Sequence, residues 1–403
     1  MKVFQINTTL NSGSTGRIAE GIGQKVIENG GESYIAFGRS SNPSSSSAIK
    51  IGTSWDQTLH LAHTRLFDTH GFHSKKATDE LVQNITKIQP DIIHLHNIHG
   101  YYLNIEILFD FFKDWSKPIV WTFHDCWPFT GHCCYYERVK CEKWKTGCHH
   151  CPLKKLYPRS CFLDNSRSNY LKKKFLFNLP DNLHLVTVSH WLENQVKESF
   201  FQSHRLQTIY NGVDLTVFKP GDQNVLKKRY GYENKKIILG VANIWSEGKG
   251  LKSFLELSKL INEKQLIILI GVNEKLSKKL PENVIGIKHT SSIEELAAYY
   301  NMADVFVSPS IAETFGVVIA EAMACGTPSV VYNSSAMTEL VDKEIGYVVP
   351  VNNYDLLFIK INDVLNKTKT YYSISCRKRA EKYFNQNQQF ENYIKLYKSI
   401  LEN

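Results

Sequence analysis

The stretch Val305-Phe306-Val307-Ser308-Pro309-Ser310-Ile311-Ala312-Glu313-Thr314-Phe315-Gly316 continues to Glu321-Ala322-Met323-Ala324-Cys325-Gly326-Thr327-Pro328. It starts as a short apolar run, breaks at Pro309-Ser310 and resumes as a helical stretch. A run that is apolar from end to end fits a parallel strand covered on both faces. The same strand–loop–helix unit recurs along the chain. Strands are expected at 235–243, 265–272, 283–289, 305–310, 328–333 and 347–351, and earlier at 2–7, 33–38, 91–97, 118–125, 184–189 and 206–211. Helical stretches such as 17–29, 191–201, 251–262 and 293–302 separate most of them. This alternation predicts an α/β fold with parallel sheets. The two series together would overfill one sheet, so two doubly wound domains are expected. The break falls at 211–222, where Asn211-Gly212 and Lys219-Pro220-Gly221 interrupt the pattern. Open α/β sheets carry their binding loops at the C-terminal strand ends. Two such sheets facing each other would form a cleft for a two-part ligand.

Within the opening stretch, Glu313 lies in the loop and Glu321 in the helix that follows. Eight residues of helix would separate them by roughly 12 Å along the axis, with the helix N-terminus near Phe315-Gly316 between them. That order suits a sugar nucleotide: a carboxylate for sugar hydroxyls, amide N–H groups for the diphosphate, and a second carboxylate for the ribose. Taken alone, most glutamate pairs of this kind are two solvent-facing helix residues. The loop Asn11-Ser12-Gly13-Ser14-Thr15-Gly16-Arg17 also joins a strand to a helix. Its glycines allow close backbone approach, but its spacing is neither a dinucleotide fingerprint nor a P-loop. His94 and His96 alternate on a buried strand, where packing or hydrogen bonding explains them. His124 ends a strand beside Asp125, as a cleft residue should. Ser189 and Tyr210 end strands as well and could be structural.

Taken together, these residues resemble the Glu-x7-Glu block of retaining glycosyltransferases with the GT-B fold, in particular glycosyltransferase family 4. Asn211-Gly212-Val213-Asp214 is similar to that family's linker, and Gly248-Lys249-Gly250 to its Lys-Gly phosphate loop. The resemblance implies two facing Rossmann-like domains with an interdomain cleft: residues 1–205 on the acceptor side, 206–385 on the nucleotide-sugar side, and a C-terminal helix at 386–403 that could pack back on the first domain. It implies that Glu313, Lys249 and His124 are catalytic. The donor would be held by Glu321, Thr314, Phe315 and Gly316, with Gly13, Gly16 and Arg17 opposite. Where the family usually has an arginine before the lysine, this chain has Asn243, which cannot supply a charged fork. Arg17 is a candidate substitute. The implied reaction moves a hexose or hexosamine from a nucleoside-diphosphate sugar to a saccharide, lipid-linked in the favoured reading, in cell-surface polysaccharide synthesis. Retention of configuration and no catalytic metal are expected. Alternatives are a sugar-nucleotide epimerase or phosphorylase on the same architecture, and a zinc-organised binding protein on a degenerate scaffold.

The chain has 403 residues, a formal charge of +9 and nine cysteines. The window from His132 to Phe175 carries +8 of that charge and six of the cysteines. It overlaps a segment, about 126–167, that reads as neither strand nor helix and is expected to be an insertion. The Cys148-x2-Cys151 pair has zinc-knuckle spacing, and Cys133 and Cys141 could complete a structural zinc site. His149, His150 and Cys134 are alternative ligands. Reduced cysteines packed among aromatic residues are the bland reading. Lys172-Lys173-Lys174, beside Leu171 and Phe175, suggests contact with an anionic membrane or simply a solvated face. No nucleic-acid module is recognised. With neither a signal-peptide pattern nor an apolar run of membrane-spanning length, a cytoplasmic protein is expected, at the inner membrane face if the basic run binds lipid. The serine-rich segment 40–47 is expected to be a mobile loop.

Overall fold

The computed structural model describes residues 1–402. Two compact units form. One comprises Met1–Ile209 together with the chain from Phe390 onward, and the other is Tyr210–Gln389.

The first unit is built on seven strands: β1 (Lys2–Asn7), β2 (Glu32–Phe37), β3 (Ser47–Lys50), β4 (Ile92–Leu95), β5 (Ile119–Phe123), β6 (Leu183–Thr187) and β7 (Arg205–Thr208). They pair in the order β3-β2-β1-β4-β5-β6-β7, all parallel. The central strands β4 and β5 are buried along their whole length, as expected where helices cover both faces. The final helix contributes to this unit: Tyr393, Ile394 and Tyr397 share a core cluster with Val3, Ile92, Val120 and Val186. A Cβ on Gly21 would come within 2.1 Å of the Phe390 ring, so a side-chain-free position is needed where the two helices meet.

The second unit has six strands: β8 (Lys236–Val241), β9 (Gln265–Ile270), β10 (Val284–Ile287), β11 (Val305–Ser308), β12 (Ser329–Tyr332) and β13 (Gly346–Val349). Their order is β10-β9-β8-β11-β12-β13, again parallel throughout. In both sheets the strand order reverses once, between β1 and β4 and between β8 and β11. Such a reversal opens a crevice at the C-terminal strand ends, the usual ligand position of this class.

Three local readings need correction. The serine-rich segment is ordered and leads into β3. Ser44 Oγ and the Ser45 amide both donate to Glu20, a buried carboxylate, and Ser46 bonds Ser33. The glycine loop is shorter than expected, because the helix starts at Gly13 rather than Arg17 and runs to Glu28. The Lys172–Lys174 run is not a uniform cationic face. It lies in the helix Ser166–Leu176, whose pitch separates its members: Lys172 pairs with Glu106 at 2.8 Å, Lys173 is buried, and Lys174 is exposed. The insertion has no strand, only three short 3-10 turns at Trp127–Phe129, Glu137–Val139 and Lys143–Lys145.

Candidate active site

In the second unit, the loops after β8 and β11 flank the point where the strand order reverses. The first carries Lys249 and the second Glu313. The Ile311 amide donates to the Gly248 carbonyl at 2.9 Å, tying the loops together. Gly250 makes the approach possible. Its φ is +76°, and a Cβ there would meet the Pro309 carbonyl at 2.2 Å. As a result Lys249 Nζ donates to Glu313 Oε1 at 2.5 Å. Lys249 keeps 40% of its side chain exposed and Glu313 16%, so the pair borders solvent. The Glu313 amide donates to Ser335 Oγ at 2.8 Å and its carbonyl accepts from the Ala336 amide, which holds the residue from both sides.

The helix Val317–Ala324 begins immediately after Gly316. The Ile319 and Ala320 amides donate to the Gly316 carbonyl, and the amides ahead of them in the first turn are the ones an anion would meet. Glu321, on that helix, accepts a hydrogen bond from the buried Tyr300 hydroxyl at 2.7 Å. Thr314, Phe315 and Gly316 lead into the helix as expected, but the Phe315 ring is buried against Tyr210 and Phe384. Phe315 can therefore offer a ligand only its backbone. Asn243 is exposed just beyond β8.

In the first unit, the loops after β1 and β4 flank the corresponding reversal. Thr8 Oγ1 donates to the carbonyls of Asn97 and His99, 2.9 and 2.7 Å away. Gly13 and Arg17 are exposed, whereas Gly16 is buried in the helix, where a Cβ would press on Thr9 at 2.7 Å. Gly16 thus serves close packing.

His124 belongs to a buried histidine chain. Gln5 Nε2 donates to the Ala19 carbonyl, which turns Gln5 Oε1 toward His96 Nε2 at 3.0 Å. His96 Nε2 must then be the donor, leaving its Nδ1 to accept from His124 Nε2 at 3.1 Å. Burial pushes the His124 pKa down to about 4, against an opposing pull from Asp125; His94 and His96 are also pushed well down by burial. His94 is held by Tyr397 and Thr122. At neutral pH these rings are uncharged hydrogen-bonding groups.

Sequence reading missed His99. Its Nε2 lies 2.8 Å from Asp125 Oδ2, and Asp125 Oδ1 accepts from the Trp127 amide. Burial raises the Asp125 pKa, but His99 and the amide outweigh it, so the net shift is downward. The recurrence of histidine at 94, 96 and 99 was the available signal.

Cys133, Cys141, Cys148 and Cys151, with His149, line a single cavity in the insertion, while Cys134 lies with His99 and Asp125. His150 lines a neighbouring surface hollow.

Residues 222–383 match the family model described as Glycosyl transferases group 1, and residues 58–217 match Glycosyltransferase Family 4. An Escherichia coli (strain K12) protein named as a colanic acid biosynthesis glycosyl transferase is 25% identical over 87% of this chain and 87% of its own length. A Staphylococcus aureus capsular polysaccharide biosynthesis glycosyltransferase is 24% identical over 54% of this chain and 62% of its own. Among solved structures, an Anabaena protein in complex with UDP and glucose superposes with a TM-score of 0.69 at 15% identity, covering 99% of this chain and 100% of that one. Both halves match, in order, and the two parallel sheets agree with the shared fold: the chain belongs to the family 4 type of GT-B glycosyltransferases.

Proposed function

We propose that this protein is a retaining transferase that moves a hexose or hexosamine from a nucleoside-diphosphate sugar to a lipid-linked saccharide during cell-surface polysaccharide synthesis. One observation carries the reading: Lys249 and Glu313 meet at the reversal point of the second sheet, beside the helix that bears Glu321. The names of the colanic acid and capsular relatives support the polysaccharide setting. The Anabaena neighbour, which holds UDP and glucose, supports a nucleotide-sugar donor.

In this reading Lys249 stays beside Glu313 while its exposed ammonium reaches the diphosphate. It neutralises the charge that develops there as the bond to the anomeric carbon breaks. The amides at the start of the Val317–Ala324 helix share that task. Glu313 accepts from sugar hydroxyls, and Glu321, oriented by Tyr300, from the ribose. Fixed positive groups aimed at a leaving group are often the largest catalytic contribution, and here they do that work without a divalent ion. Arg17 is the candidate replacement for the charge that Asn243 cannot provide. His124, neutral, would act as a hydrogen-bonding contact for donor sugar or acceptor.

The test is an assay of nucleoside-diphosphate release with and without saccharide acceptor, and with chelator. Release should depend on acceptor and survive chelation. Lys249→Ala should lower kcat/KM by about 10²–10³-fold, and Glu313→Gln by a similar factor, with little change in thermal midpoint because both side chains border solvent. Release without acceptor would favour an epimerase or phosphorylase. Activity retained in both variants would favour a binding protein. The anomeric coupling in the product's NMR spectrum tests retention.

A further inference from the structure

The insertion holds an arrangement that sugar transfer does not use. Cys133, Cys141, Cys148 and Cys151 come from separate turns yet line one cavity, together with His132 and Lys143. The Cys133 thiol donates to the Cys151 sulfur. Room for this is built in: a Cβ on Gly131 would lie 2.0 Å from the Ser166 carbonyl and 2.8 Å from Cys148 Cβ.

Two further observations point to a missing anionic occupant. Lys173 is 1% exposed, yet its Nζ donates only to the Trp127 carbonyl, at 2.6 Å, and lies 3.5 Å over the Trp127 ring. Neither of these two partners is an anion, although Asp125 and the sulfurs of Cys134, Cys148 and Cys133 act on the ammonium electrostatically. His132 is 3% exposed. Its Nδ1 bonds Asp68, while its buried Nε2 has no hydrogen-bond partner. A tetrathiolate–zinc centre carries two net negative charges. It would give the buried His132 Nε2, whose ring Asp68 fixes from behind, a polar partner.

We propose that Cys133, Cys141, Cys148 and Cys151 bind a zinc-class divalent ion that orders the insertion, with His132, held by Asp68, supporting the ligand set from beside it. On binding, four thiols release their protons to solvent and four metal–sulfur bonds form, with no change in oxidation state. The four cysteines are not among the groups whose ligand atoms already lie within 4.8 Å of one another. Binding would therefore have to draw the turns inward, toward the roughly 3.8 Å sulfur spacing of a tetrahedral site. The site would anchor the insertion to the following helix, because the Cys151 amide donates to Asp164, which also accepts from the Ser166 amide and hydroxyl.

The test is elemental analysis of the full chain purified without a metal-chelating tag. About one zinc per chain is expected. Cys148→Ser and Cys151→Ser should each lose it, and His132→Gln should keep it but release it to a competing chelator roughly 10–100-fold more readily. Because serine variants could fail to fold, cobalt exchange into the unaltered chain is the second measurement. It should give the intense visible absorption of tetrahedral thiolate cobalt. Absence of stoichiometric metal and of that absorption overturns the proposal. So does a Cys133–Cys151 disulfide in the peptide map. Metal retained in Cys141→Ser but lost in His132→Gln overturns the four-thiolate assignment.

Discussion

At the scale of single residues, the sharpest contrast is between Lys249 and Lys173. One borders solvent beside a carboxylate, and the other, within a helix, is sealed against Trp127. Only the first is placed to meet a substrate. The buried histidines make a second residue-level point. The His124 pKa is pushed from 6.5 to about 4, so the folded state resists a proton that the unfolded chain accepts below 6.5. The stability this group contributes is present above pH 6.5 and is lost as the pH falls toward 4. His94 and His96, shifted in the same direction, steepen the loss. Urea unfolding should give a flat midpoint above neutrality that drops steadily below it, and His124→Gln should flatten the slope. A midpoint that rises on acidification would contradict the buried neutral rings. Tyr397→Phe removes the hydroxyl that meets His94 Nδ1 at 2.6 Å. It should cost about 1–2 kcal/mol of the first unit's stability, as measured by the same unfolding.

At the scale of elements, two loops and one helix make the candidate site, and a glycine sets their spacing. Gly250→Ala would need a positive φ and a 2.2 Å approach to a backbone carbonyl. It should destabilise the second unit by roughly 1–3 kcal/mol and displace Lys249. Thermal unfolding with and without nucleoside diphosphate reads both effects: a lower midpoint and a smaller ligand-induced rise. An unchanged rise would mean that the loop is not part of the donor site. Element-level reading from sequence worked where a strand ended in a distinctive loop. It failed for β3, whose residues Ser47–Lys50 are an exposed edge strand without an apolar run. It also failed at the first helix, whose initial turn is glycine-rich and reads as a loop. In both places tertiary pairing overrides a weak local preference.

At the scale of the molecule, the chain's last segment returns to the first unit. Deleting residues from Phe390 onward would strip Tyr393, Ile394 and Tyr397 from the core that holds β1, β4 and β5. Limited proteolysis should then cut the Met1–Ile209 region much faster, while Tyr210–Gln389 keeps its resistance and its nucleotide-dependent stabilisation. Equal loss in both units would show that the helix supports more than the core it enters. No helix among the described residues is long and apolar enough to cross a membrane. With Lys173 buried and Lys172 paired, the basic run also offers an anionic surface less charge than its sequence suggests.

The sequence by itself determined the two parallel-sheet units, the positions of their loops, and Glu313 and Glu321 as residues to examine, and the family resemblance added Lys249. It could do so because buried parallel strands need unbroken apolar runs and because loop chemistry is written locally. It also placed four cysteines together in the insertion. Only the tertiary structure decided that Lys249 meets Glu313, that Gly16 and the Phe315 ring serve packing, and that His99 joins Asp125. The same holds for Lys173, which the fold seals against Trp127, and for His132, whose Nε2 it leaves without a hydrogen-bond partner. Those outcomes depend on contacts between residues far apart in the chain, and no local spacing encodes what a side chain will meet when another element packs over it.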